Sequence, residues 1–119
     1  MNYKQAENLA LSLSTMLDTK GVVGLKIARN LRMINDELKE YYEFKQELFK
    51  KYGEEKDGNL VISKDSENFP LFLKEVLPFE TQEVEFNFRK ITENELAESG
   101  LTAGQMSAIW DYMVEENAE

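Results

Sequence analysis

Apolar residues recur at helical spacing from the start of the chain. Over residues 3–17, Ala6, Leu9, Leu13 and Met16 repeat every three or four positions, Ala10 and Leu17 widen the stripe, and Leu11 lies off it. Asp18-Thr19-Lys20-Gly21 predicts a stop, because glycine takes the left-handed conformation that closes a helix. A longer run follows from about Val22 to Tyr52. Ile27, Leu31, Ile34, Leu38, Tyr41, Leu48 and Tyr52 keep an alternating four-three spacing, with Lys45 at an expected apolar place and no proline to interrupt it. At 1.5 Å per residue this is a rod about 45 Å long. The first helix reaches only part of it, so the two are expected to form an antiparallel hairpin with part of the rod uncovered. Lys45 marks where the seam should become wet, its stem on apolar neighbours and its ammonium in water.

Met33 and Phe44 lie roughly 100° from the centre of that seam on a helical wheel, within about 20° of each other. They predict a second apolar flank, to be covered by the C-terminal half or by another copy. Asp36, Glu40, Glu43 and Glu47 line the other side as a solvated acidic row.

Beyond Tyr52 the pattern changes. Gly53-Glu54-Glu55-Lys56-Asp57-Gly58 reads as a helix end and turn, and Asn59 to Ile62 as a short strand. Pro70 suits the first turn of a helix of about two turns, which Leu77-Pro78 should end. Residues 83–91, EVEFNFRKI, alternate cleanly. Val84, Phe86 and Phe88 face one way and Glu83, Glu85, Asn87 and Arg89 the other, a strand with one buried face that would pair with residues 60–62. Thr92-Glu93-Asn94-Glu95 and Thr102-Ala103-Gly104-Gln105 both carry the capping-box pattern, separated by Gly100. The last helix should bury Met106, Ile109, Trp110 and Met113, with Trp110 as anchor, and residues 115–119 should fray. The fold class expected is α+β, mainly helical. It has a helical hairpin over residues 1–53, a small two-stranded element and C-terminal helices packed on it, in one domain over 1–119.

Composition narrows the function. The 119 residues include neither cysteine nor histidine, which excludes disulfides, thiolate zinc sites, a cysteine nucleophile and the usual general base. Residues 1–53 carry 9 basic and 7 acidic side chains, whereas residues 54–119 carry 5 and 16. So acidic a chain suits neither nucleic acid nor, lacking a long apolar stretch, a membrane span. The polar start MNYKQAEN has no signal-peptide core, so a cytoplasmic protein is expected. Three constellations remain for chemistry. Glu83 and Glu85 project from one side of a strand and would hold Mg²⁺ with help from Asp57 or Glu80, although edge strands also carry such charges to stay unpaired. Lys26, Arg29 and Arg32 form a basic cluster, for which neighbouring acids supply counter-ions. Gly21-Val22-Val23-Gly24 lacks the pattern of a phosphate loop. Neither catalytic residues nor a cofactor are assigned.

The helix GLKIARNLRMINDELKEYYEFKQELFKKYGE, a Gly-Asn turn, EVEFNFRKI and a closing LTAGQMSAIWDYMVEE follow an order that resembles small uncharacterised proteins of bacteriophages and prophages of Gram-positive bacteria. The resemblance covers roughly residues 22–115. It implies a phage context and a binder rather than a catalyst. The expected function is a self-associating protein-interaction module, a dimer, joined through Met33, Tyr41, Phe44, Leu48, Phe49 and Tyr52. The alternative is an acidic inhibitor or nucleic-acid mimic that occupies a host protein, and a carboxylate metal hydrolase ranks behind both.

Overall fold

Asn2 opens the first helix by a reciprocal cap. Its side-chain oxygen accepts from the Gln5 N–H at 2.8 Å, and the Gln5 side chain accepts from the Asn2 N–H at 2.8 Å. In the computed structural model, which describes residues 1–116, helix α1 (Tyr3–Ser14) buries Tyr3, Ala6, Leu9, Ala10 and Leu13. It ends before the expected Leu17. The Ser14 hydroxyl donates to the Ala10 carbonyl and that of Thr15 to the Ser12 carbonyl, local bonds that compete with another helical turn. Met16 stays buried while Leu17 is 62% exposed.

Helix α2 (Gly21–Tyr52) runs unbroken for 32 residues, about 48 Å at the helical rise, and sets the 55 Å length of the molecule. Val23, Ile27, Asn30, Ile34, Leu38, Tyr41 and Leu48 form its buried stripe. Glycine is required twice at its start. Gly21 has φ of 72°, and a Cβ on Gly24 would overlap the Thr19 carbonyl. The Gly21–Gly24 segment therefore serves the turn between α1 and α2. Lys45 departs from expectation. Its ammonium meets the Glu7 carboxylate at 2.9 Å and lies 5.0 Å from the Tyr41 ring centre, in place of open water.

The β-hairpin is more local than the pairing expected for it. Strands β1 (Glu54–Lys56) and β2 (Asn59–Val61) pair antiparallel, Glu55 opposite Leu60, around Asp57 and Gly58. Their φ angles, 53° and 82°, are both positive, as the tightest hairpin turn demands. Closing this loop costs far less chain entropy than bringing residues 60–62 to residues 83–91.

Helix α3 (Asn68–Glu80) continues past Pro78. In the last turn Pro78 forgoes one backbone bond to the Lys74 carbonyl, a cost offset as Phe79 gains contact with Tyr3, Tyr41 and Phe44 at ring distances of 5.2–5.4 Å. α3 covers the C-terminal half of α2. After β3 (Ile91–Thr92), α4 (Glu93–Ala97) packs on α2 and α5 (Ala103–Met113) on α1, the last leading into β4 (Val114–Glu115), parallel to β3. Both expected capping boxes form, at Thr92 and Thr102. Ile109 and Met113 are buried, but Met106 and Trp110 are half-exposed. Trp110 is thus no core anchor; its indole N–H donates to Glu116 at 2.9 Å. Glu115, expected to fray, pairs with Thr92. The remainder of that expected frayed end, residues 117–119, lies outside the described residues. No helix among the described residues is long and apolar enough to cross a membrane.

Candidate interaction surface

The residues expected to meet a partner are buried or half-buried against the chain's own residues. Tyr41 and Leu48 are buried, Phe44 stacks on Phe79 with centroids 5.4 Å apart, and Phe49 meets Phe72 at 5.4 Å. Met33 and Tyr52 pack against the core, and Lys51 lies 5.0 Å from the Tyr52 ring centre. α3 brings Tyr41, Phe44 and Phe49 together on its inner side, while Met33 lies eleven residues back along α2 from Phe44. The part of the flank from Phe44 to Tyr52 is therefore occupied by this chain's own α3.

The electrostatics inside are settled by pairing. Burial would raise the Glu7 carboxyl, but the ammoniums of Lys45 and Lys4 outweigh it and hold it below the usual carboxylate range. Burial is also the main cause that pushes the Tyr41 hydroxyl upward, aided by Glu7 and by Glu80, to which it donates at 3.2 Å. Lys26 pairs with Glu95 at 2.8 Å and donates to the Lys90 carbonyl. Arg29 and Arg32, for which counter-ions were expected, have no ion pair among the described residues. The carboxylates considered for a metal are dispersed. Glu83 meets the Met1 amino group at 3.1 Å, Glu80 serves Tyr41 and Asp57 shapes the hairpin turn. No group of three or more acidic side chains among the described residues gathers within metal-binding reach.

The segment EVEFNFRKI is where sequence pattern and structure part most informatively. Its alternation survives: Phe88 is buried, Val84 and Phe86 are half-buried, and Glu83, Glu85, Asn87 and Arg89 are exposed. The Phe86 and Phe88 rings stack with centroids 5.1 Å apart. Yet only Ile91 of this segment belongs to a strand. The segment is fastened at its two ends. At one, the Val84 N–H donates to the Met1 carbonyl at 2.8 Å, and Asn2 bridges Glu83. At the other, the fully buried Asn30 side chain accepts from the Arg89 N–H at 2.8 Å and donates to the Arg89 carbonyl at 3.1 Å. An amide side chain on α2 thus takes the place of one rung of a β-ladder.

Between these fastenings, no hydrogen bond among the described residues reaches the backbone of Glu85, Phe86, Asn87 or Phe88. Beside them runs a groove of about 340 Å³, lined by Met1, Val84, Phe86, Phe88, Asp111 and Tyr112 as well as Glu85. Apolar rings on one face, unpaired backbone and a groove alongside are what an added extended strand uses. Asn30 was the missed residue. Its position on the buried stripe of α2, between Ile27 and Ile34, was the available signal. No protein-family model, curated protein or solved structure matches the chain.

Proposed function

We propose that the protein is a non-enzymatic interaction module that receives an extended polypeptide segment along residues 85–88. The observation that carries this reading is the unpaired backbone of those four residues, beside a groove floored by Phe86 and Phe88. Backbone N–H and C=O groups supply affinity in strand addition, and pockets for alternate side chains supply selectivity. The order of segments that resembles phage proteins supports a phage or prophage origin and a cytoplasmic setting, which neighbouring genes would test. Amide exchange tests the binding mode. Titration with extended peptides of alternating aromatic and charged residues, including one copying residues 83–91, is expected to slow exchange at Phe86 and Phe88. Exchange at both amides unaltered by every peptide and by protein concentration would refute the reading.

A second reading is supported by charge. Glu54, Glu55, Asp57, Asp65 and Glu67 are exposed and carry no ion pair among the described residues, within a portion whose net charge is −11. Such a surface suits a basic partner, in the manner of a nucleic-acid mimic. Its capture of a basic nucleic-acid-binding protein should then weaken steeply with salt; salt-independent capture would count against it.

A further inference from the structure

Resting on the strand-edge reading above, we infer that the segment added to residues 85–89 is the same segment of a second copy, antiparallel and related by a two-fold axis at Asn87. The segment is self-complementary. In an antiparallel pair centred on Asn87, Phe86 faces the partner's Phe88, Glu85 faces the partner's Arg89, and the two Asn87 side chains meet on the axis. Each chain thereby contributes to two aromatic and two oppositely charged cross-strand pairs, the combinations that favour pairing. Neither Glu85 nor Arg89 has an ion pair in the single chain among the described residues, and both side chains are exposed.

The free backbone groups also suit this pairing. Along an extended strand, the N–H and C=O of alternate residues point to the same edge. Asn30 occupies the edge presented by Arg89. In an extended segment the groups of Phe86 and Phe88 then fall on the opposite edge, and they are without partners among the described residues. The register that pairs Glu85 with Arg89 makes Phe86 and Phe88 its hydrogen-bonded pair, so the four bonds of the dimer fall on the groups left free. Pairing stops at both ends for visible reasons. The Met1 carbonyl already takes the Val84 N–H, and Lys26 already takes the Lys90 carbonyl. Five paired residues make a small interface, so association depends on concentration, as in transient complexes. The chain's own helices support the strand, which an isolated two-stranded pair would lack.

Charge swaps decide the question. Sedimentation of the full chain from low micromolar to millimolar concentration is expected to show a monomer–dimer equilibrium. Glu85→Arg and Arg89→Glu should each weaken it by about tenfold, because each variant sets like charges opposite each other twice. Equimolar mixing of the two variants should restore dimerisation, since every pair in the mixed dimer is then opposite in charge; the double variant should also recover it. Circular dichroism of each variant checks that the fold is kept. A monomer at every concentration overturns the inference, as does a dimer that neither swap weakens or that mixing fails to restore. If the chain stays monomeric while the copied peptide protects Phe86 and Phe88, the edge accepts strands from another protein. The homodimer alone is then lost.

Discussion

Replacing Asn30 tests how the extended segment is held to α2. Its side chain is fully buried and makes two hydrogen bonds to one backbone residue, Arg89, at 2.8 and 3.1 Å, with its amide nitrogen 3.3 Å from the Met113 sulfur. Asn30→Ala removes both bonds, each worth about 1 kcal/mol net, and leaves an N–H and a C=O without their partner. Arg89 is itself an exposed residue, so water can reach part of what is freed and the desolvation penalty falls toward its lower end. A small void beside Met113 adds to the loss. The sum is about 2–4 kcal/mol, to be read from urea unfolding, with faster amide exchange at Arg89 as the local signature.

Asn30→Asp keeps the shape but sets a carboxylate against the Arg89 carbonyl in a dry site. Protonation would restore a donor there, so the folded state binds that proton more tightly than the unfolded one. Relative to the parent, stability of this variant should therefore rise as pH falls through its raised folded pKa and level off below the ordinary carboxylate value, the reverse of most carboxylates. Asn30→Ala within about 0.5 kcal/mol of the parent, the range of neutral surface changes, would refute the clamp. So would an Asn30→Asp variant as stable as the parent at neutral pH.

Two other perturbations probe different joints. Glu7 has its folded pKa below the ordinary value, so its pair with Lys45 contributes fully above the unfolded pKa and is lost as pH falls through the folded one. Glu7→Gln should accordingly flatten the acid limb of the stability–pH curve. Lys45→Met should cost about 1 kcal/mol at neutral pH, Lys4 remaining as partner; unchanged acid unfolding in both variants would contradict the pairing. Gly24→Ala forces a methyl into the Thr19 carbonyl and should cost about 1–3 kcal/mol by thermal melting; an unchanged melting temperature would show that the turn gives way freely.

Much of the helical layout was legible because its signals are local. The seam from Ile27 to Tyr52, the caps at Thr92 and Thr102, and the positive φ of Gly21 each follow from residues within a turn or two of one another. The hairpin was half legible. Asp57-Gly58 is a strong turn signal, but Glu54 to Lys56 offers no apolar alternation to mark a strand. Pro78 misled because a proline near a helix end is decided by what packs beyond it, here Phe79. The surface assigned to Phe44, Phe49 and Tyr52 was read from a helix taken without its cover, and α3 supplies that cover.

The amino-acid order alone determined where helices begin and which face of each is apolar, since periodicity and capping act over a few residues. It also determined the alternation of residues 83–91. Whether that alternation would find a ladder was decided only in three dimensions, because a strand needs a partner whose distance along the chain is arbitrary. Here residues 54–56 take the partner expected for it, Asn30 holds one end, and the backbone of residues 85–88 is left open.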